Sequence, residues 1–258
     1  MRKTRVWITA QTELCEGICS LWIKDAEMAR EAKPGQFLSL YCEDGSRLLP
    51  RPVSICEIRP EEGLLRMVYR VAGAGTEEFS HLSAGDGLEV LGTLGNGYEL
   101  REGSALLLGG GIGIPPMLAL AKALCEKNGK EQVTAVLGYR DANTFLAEAF
   151  APYAQVVIAT EDGSVGVQGN VLDAVREKGI RAEQIYACGP KPMLRGVKAY
   201  AREEGLPAQI SLEERMACGI GACLACVCES TKPGEHTHVN NVRICKDGPV
   251  SDAEEVEL

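Results

Sequence analysis

The stretch MACGIGACLACVCES, residues 216–230, packs four cysteines, Cys218, Cys223, Cys226 and Cys228, into eleven residues, and Cys245 follows after a polar interval. A segment this rich in thiols and small residues constrains the fold more than any other feature. The part of the chain that holds it, residues 211–258, is too short and turn-rich to build a hydrophobic core unaided and needs a metal staple. The chain has eleven cysteines in 258 residues. Its start, MRKTRVWITAQTELCEG, is basic, but Thr9, Gln11, Thr12 and Glu13 interrupt any apolar run of signal-peptide length. Cytoplasmic thiols, reduced or ligating a metal, are therefore expected in place of disulfides. Cys15, Cys19, Cys42, Cys56 and Cys125 are scattered and read as small buried apolar residues.

Cys218, Cys223 and Cys226 are separated by four residues and then by two, and eighteen residues precede Cys245. This opening matches the spacing of plant-type 2Fe–2S sites. Several thiolates must approach one cluster, so the backbone has to wrap closely, and Gly219, Ile220, Gly221, Ala222, Leu224 and Ala225 allow it. A four-cysteine zinc site is the first alternative, although structural zinc usually shows two short cysteine pairs. A redox pair of Cys223 and Cys226 is the second, and it leaves Cys218 and Cys245 without a role. Cys228 follows Cys226 by two positions, which on a strand would turn it to the same face. It reads as a packed bystander.

The remainder divides by texture. Residues 1–100 show short β-rich runs (RVWIT, CSLWIK, QFLSLYC, PVSICEI, LLRMVYRV, GLEVLG) broken by Gly, Pro and Asp, the pattern of a small antiparallel barrel. Over 101–210, strand-like runs alternate with helices expected near 115–128, 143–150, 169–178 and 191–204, and PAQISLE at 207–213 supplies a last strand. That alternation implies a parallel sheet with crossover helices. The stretch SALLLGGGIGIPPMLALA carries no charge for eighteen residues. Its glycines and Pro115-Pro116 read as strand, turn and helix start, not as a membrane span. A net charge of −9 argues against nucleic-acid binding.

Three stretches carry cofactor chemistry. RPVS, residues 51–54, is an Arg-x-x-Ser pattern on a barrel strand, whose guanidinium can pair with a pyrophosphate and whose hydroxyl can reach an isoalloxazine edge. VYRVAGAGT, residues 68–76, is a strand followed by a glycine-rich turn that exposes backbone N–H groups. LLLGGGIGIPPM (106–117) and YACGPKPM (186–193) each run from strand through a glycine turn into a helix. Gly110, Gly111 and Gly113 in the first and Cys188, Gly189 and Pro190 in the second would frame a dinucleotide crevice at the carboxyl ends of parallel strands. The standard Gly-x-Gly-x-x-Gly is incomplete, because Pro116 takes the third place.

In this order the pieces resemble the ferredoxin-reductase-like superfamily. SLEERMACGIGACLACVC and RICKDGPV, with RPVSI, YRVAGAGT, LGTLGNGY and ATEDGSVGVQGNV, are similar to the electron transfer subunits of dihydroorotate dehydrogenase B over essentially the whole chain. The resemblance implies an FAD-binding barrel (1–100), an NAD-binding α/β domain (101–210) and a 2Fe–2S domain (211–258). It implies FAD contacts at Arg51, Pro52, Val53, Ser54, Val68, Tyr69, Arg70, Gly75 and Thr76, and cluster ligands at Cys218, Cys223, Cys226 and Cys245. It further implies an FMN-containing dihydroorotate dehydrogenase catalytic subunit as partner, in a two-plus-two assembly, with electrons passing from dihydroorotate through FMN, cluster and FAD to NAD. The cluster moves single electrons and NAD takes a hydride, so a flavin belongs between them and no acid–base residue is required of this chain.

Two departures stand out: Val53 lies where many superfamily members carry an aromatic against the flavin, and the long Glu229–Val242 stretch carries His236 and His238, which read as solvated loop residues, with replacement of a cysteine ligand as the alternative. The rival readings are a sulfide dehydrogenase, ferredoxin–NADP oxidoreductase or hydrogenase subunit built from the same modules, and a zinc-stabilised nucleotide-binding module. GYRDAN, residues 138–143, sets one arginine beside an aspartate where a 2′-phosphate would lie, which favours NAD over NADP.

Overall fold

The computed structural model describes residues 2–233 and 238–258. Strands β1 (Arg2–Cys15), β2 (Ile18–Lys24), β3 (Phe37–Tyr41), β4 (Arg51–Arg59), β5 (Leu64–Arg70) and β6 (Gly87–Leu94) close into a barrel in the order β1-β2-β5-β4-β3-β6, every pair antiparallel. Alternation along the strands sends Val6, Ile8, Leu21, Ile23, Leu38, Leu40, Met67 and Val90 inward. Two short helices were not legible as such in the sequence. Helix α1 (Ala26–Glu31) starts where the Asp25 carboxylate accepts the Glu27 and Met28 N–H groups at 3.1 and 3.0 Å. Helix α2 (Ala74–Ser80) begins inside the expected glycine-rich turn and buries Phe79 edge-on against Tyr69 in the barrel.

The second layer is a sheet of β7 (Ala105–Gly110), β8 (Val133–Tyr139), β9 (Gln155–Thr160), β10 (Val167–Gln168), β11 (Gln184–Cys188) and β12 (Ala208–Ser211), in the parallel order β10-β9-β8-β7-β11-β12. Helices α3 (Ile114–Asn128), α4 (Ala147–Phe150), α5 (Val171–Glu177) and α6 (Lys191–Glu204) make the crossovers. Central β7 is buried at every residue, as a strand covered on both faces must be. The uncharged stretch 104–121 is β7, its turn and the start of α3, and no helix among the described residues is long and apolar enough to cross a membrane. The helix expected over 143–150 is confined to α4. Asp141 accepts both the backbone and side-chain N–H of Asn143 at 2.8 Å, and this local bonding holds the preceding residues as a turn.

The cysteine segment contains β13 (Val227–Glu229) and β14 (Asn241–Arg243), an antiparallel pair, and then β15 (Val250–Asp252). Strand β15 returns to the large sheet antiparallel to β12, so the thiol-rich segment is woven into the nucleotide-binding layer. It is also fastened to the barrel. Just past β6, the Asn96 side chain donates to the Lys246 and Asp247 carbonyls at 3.3 and 3.0 Å, and its backbone N–H donates to Gly248 at 2.6 Å. Two residues on, Tyr98 donates to the Ala187 carbonyl at 3.0 Å and rests edge-on against Tyr186. Barrel and sheet thus share a core, in which Ile18, Cys56 and Val68 pack with Ile114 and Met117 of α3. Replacing Asn96 by Ala removes two of the bonds that clamp the 246–248 turn. It should lower stability by about 1–3 kcal/mol, read as a fall in the denaturant midpoint with an unchanged slope.

Candidate functional site

Glycines at left-handed φ, Gly219 at 68° and Gly221 at 81°, coil the loop after Cys218 back on itself. The coil aims amides at sulfur. Cys218 Sγ accepts the N–H groups of Ile220 and Ala222 at 3.4 and 3.3 Å, and Cys245 Sγ accepts that of Gly221 at 3.1 Å. The Cys245 N–H in turn donates to Cys226 Sγ at 3.4 Å. Burial raises the Cys218 thiol, but the amides of Ile220, Cys223 and Ala222 and the Cys223 thiol outweigh it and hold the group down at about 6. Cys245 is pushed up to about 12 by burial and by the adjacent Cys226 thiol. Cys223 lies beside Cys218 and Cys226 beside Cys245, and Cys218 is also near enough to act on Cys245. A two-iron cluster takes two thiolates at each iron, so this donor set fits it.

Cys245 sits in a turn closed by Arg243, whose guanidinium and backbone N–H donate to Asp247 at 2.8–2.9 Å. The Arg243 side chain also pulls the Asp247 carboxyl below the usual carboxylate range. The sequence reading did not single out this pair, although its i, i+4 spacing across the ligand was visible in RICKD. Cys228 points elsewhere. Its thiol donates to Glu214 at 3.3 Å, is pushed up to about 12 by burial and by that carboxylate, and shares Glu214 with Lys191 at the start of α6. His238 is exposed, and His236 lies outside the described residues.

On the barrel, Arg51 lays its guanidinium across the first turn of α2, and a Cβ on Gly75 would collide with it. The opening turn of a helix already presents unpaired N–H groups with partial positive charge. A cation held there calls for an anion between the two, and a pyrophosphate meets both. FAD carries one and FMN does not. Pro52 and Ser54 face outward on β4, whereas Val53 is turned into the barrel core, so position 53 presents only backbone to the outer face. Tyr69 is likewise buried inside the barrel and Val68 against α3, which leaves Arg70 as the exposed side chain of that strand end. The Thr76 hydroxyl is occupied locally: it accepts the N–H groups of Ala72 and Gly73 at 2.9 and 3.2 Å and donates to the Gly73 carbonyl at 2.9 Å. It shapes the turn.

The two glycine turns lie side by side because β7 and β11 are neighbours, with Gly109 opposite Cys188. A side chain on Gly113 would strike the Cys188 carbonyl and the Gly189 N–H, and one on Gly110 would meet Met193 and Pro190. Bare backbone therefore lines the crevice. Pro115 and Pro116 remove two N–H groups from the opening turn of α3 and are buried, so that turn donates less than its place at a strand end suggests. Burial pushes the Cys188 thiol up to about 12, which keeps it neutral at the crevice edge.

Comparison with known proteins fits this geometry. The profile described as the iron-sulfur cluster binding domain of dihydroorotate dehydrogenase B matches residues 213–257, and the oxidoreductase NAD-binding domain matches 107–199. The dihydroorotate dehydrogenase B (NAD(+)) electron transfer subunit of Listeria monocytogenes is 43% identical over 263 residues, covering 100% of both chains. The chain belongs to this family of electron transfer subunits. The subunit of the same name from Geobacillus thermodenitrificans is 40% identical over 99% of each chain. Among solved structures, a chain of an NADH-dependent reduced ferredoxin–NADP oxidoreductase superposes with a TM-score of 0.85 at 32% identity, over 98% of this chain and 89% of that one. A Neisseria gonorrhoeae ferredoxin NADP+ reductase, 16% identical with a TM-score of 0.66 over 83% of this chain and 94% of that one, shares the fold of barrel and sheet. As a member of the family the subunit is an oxidoreductase component, and its cofactors are FAD, a 2Fe–2S cluster and NAD.

Two substitutions separate the roles of neighbouring cysteines. Cys245→Ser should reduce bound iron and acid-labile sulfide sharply, and Cys228→Ser should leave both near the wild-type content. The reverse pattern in a metal assay would refute the pairing. Gly75→Val should displace Arg51 and weaken FAD binding by about tenfold or more, the loss of one charge-assisted contact. Gly45→Ala, where a Cβ meets open space, should not change flavin content.

Proposed function

We propose that this subunit carries electrons between an FMN-containing dihydroorotate dehydrogenase catalytic subunit and NAD, in the cytoplasm, as part of pyrimidine biosynthesis. The observation that carries the reading is the gradient of burial across the thiol pairs. Cys223 is exposed, with Ile220 and Leu224 exposed beside it at 41% and 56%, whereas Cys226 and Cys245 are each 2% exposed against the outer wall of the barrel. One end of the ligand set is open to a partner, and the other is buried against Phe37 of β3 and Leu94 of β6, the wall beside the strand that would hold the flavin. A cluster there accepts electrons singly, and FAD pairs them for transfer as hydride to NAD.

The chain's own residues perform binding and exclusion. Arg51 and the first turn of α2 hold the FAD pyrophosphate, Pro52 and Ser54 border the ring, and the paired glycine turns receive the dinucleotide. Cys218, Cys223, Cys226 and Cys245 ligate the cluster. Apolar Ile220 and Leu224 form the centre of the docking face for the partner, in a two-plus-two assembly. NAD is preferred over NADP because the Asp141 carboxylate, fixed by Asn143, stands at the end of β8 beside exposed Arg140 and disfavours a 2′-phosphate.

A second reading, pairing with a ferredoxin–NADP oxidoreductase partner, has the 0.85 TM-score superposition in its favour. Reconstitution separates the two. The isolated chain should release FAD on heating and pass electrons from NADH to an artificial acceptor, with no turnover of dihydroorotate. Adding the FMN-containing subunit should create dihydroorotate-dependent NAD reduction, and removing the iron should abolish that reaction while sparing the NADH–acceptor reaction. Preference for NADP, or dihydroorotate turnover by the isolated chain, would contradict the proposal.

A further inference from the structure

Ser39 lies on β3, between Pro52 of the flavin-bearing strand β4 and Leu91 of β6. Its neighbours on the outer face of the barrel, Phe37 and Leu94, join the core that contains Cys226 and Cys245. The cysteine loop sits directly on this wall. A Cβ built on Gly219, the residue after ligand Cys218, would lie 3.0 Å from Ser39 Oγ and 3.5 Å from Leu94 Cδ1. Ser39 is only 1% exposed, and its hydroxyl has no hydrogen-bond partner. A buried hydroxyl left unpaired is costly, and a buried polar atom without a partner calls for one. Beside it at this contact stand Leu94 Cδ1 and the bare turn at Gly219. A cluster held by Cys218, the residue before Gly219, would supply the missing acceptor. The Cys218 thiol already collects two amides, the signature of an electron-rich sulfur.

We propose that Ser39 is a hydrogen-bond donor to the sulfur at the Cys218 end of the cluster, and that it sets the cluster's reduction potential from the barrel side. The inference rests on the reading above that the four cysteines hold a 2Fe–2S cluster. Reduction adds one electron and makes the sulfurs better acceptors. A donor held against them stabilises the reduced form more than the oxidised form and raises the potential. Ser39 adjoins β4 as well, so the residue that tunes the cluster is fixed to the strand that carries the flavin contacts, and the driving force between the two centres depends on it.

The test uses the full chain loaded with FAD and cluster, as wild type, Ser39→Ala and Ser39→Thr. Iron and sulfide content is measured first, and a wild-type protein without a 2Fe–2S cluster would refute the underlying reading and not this inference alone. Redox titration followed by electron paramagnetic resonance, with flavin absorbance in parallel, should show the cluster potential moving negative in Ser39→Ala while the FAD potential stays in place. Electron–nuclear double resonance in H2O and D2O should show one exchangeable-proton coupling lost. Ser39→Thr, which keeps the hydroxyl, should hold both properties near wild type. An unmoved cluster potential with unchanged couplings in Ser39→Ala would overturn the inference. So would a shift confined to the FAD, equal shifts in both variants, or a failure to assemble the cluster that both variants share.

Discussion

The architecture depends on how the cysteine segment is supported. With two short strands and a glycine-rich loop it has no interior of its own, and it borrows one. Cys226, Ile244 and Cys245 complete a core that already contains Phe37 and Leu94 from the barrel and Ile210 and Leu212 from the sheet. The segment is buried against both layers at once, and β15 then locks it into the sheet edge. Each of the other features follows from that shared interior. The deep thiol pair lies against Phe37 and Leu94 of the barrel wall, the outer pair reaches solvent, and the linker 95–98 is drawn tight between barrel and sheet. Substitutions in this linker would be felt at the cluster, because Asn96 holds the turn that immediately follows Cys245.

Electrostatics divides the labour among the sites. On the barrel, the Arg51 guanidinium and the start of α2, of like polarity, converge, an arrangement that an anionic ligand would complete. At the cysteine loop, backbone amides point inward at sulfur, so charge on the thiolates is met by fixed dipoles and not by mobile side chains. At the two glycine turns, Gly113 lies against the Cys188–Gly189 backbone, which leaves no room for a side chain there.

The sequence made some of this legible for clear physical reasons. Barrel strands such as LLRMVYRV and sheet strands such as SALLLGG announce themselves through period and composition, and the spacing of Cys218, Cys223 and Cys226 is local information. Helix α2 was hidden because AGAGT has turn composition. Its start depends on the Thr76 hydroxyl folding back over Ala72 and Gly73, a short-range bond that composition does not reveal. The helix expected from 143 starts later because Asp141 and Asn143 bond to one another. The inward turn of Val53 and Tyr69 follows from barrel closure, and the partnering of Cys228 with Glu214 from the docking of α6. Ser39 has no local signature at all. Its position against Gly219 exists only once barrel and cysteine loop are in contact.

One chain carries both FAD and a 2Fe–2S cluster, and the cysteine segment packs on the barrel wall that includes Phe37 and Leu94. Anaerobic titration of the isolated, cofactor-loaded chain with NADH, followed by flavin absorbance and low-temperature electron paramagnetic resonance, tests it most directly. Flavin bleaching should be accompanied by a signal from a reduced 2Fe–2S cluster that integrates toward one spin per chain and is lost in Cys245→Ser. Full flavin reduction by NADH with no iron–sulfur signal from an iron-replete chain would contradict it.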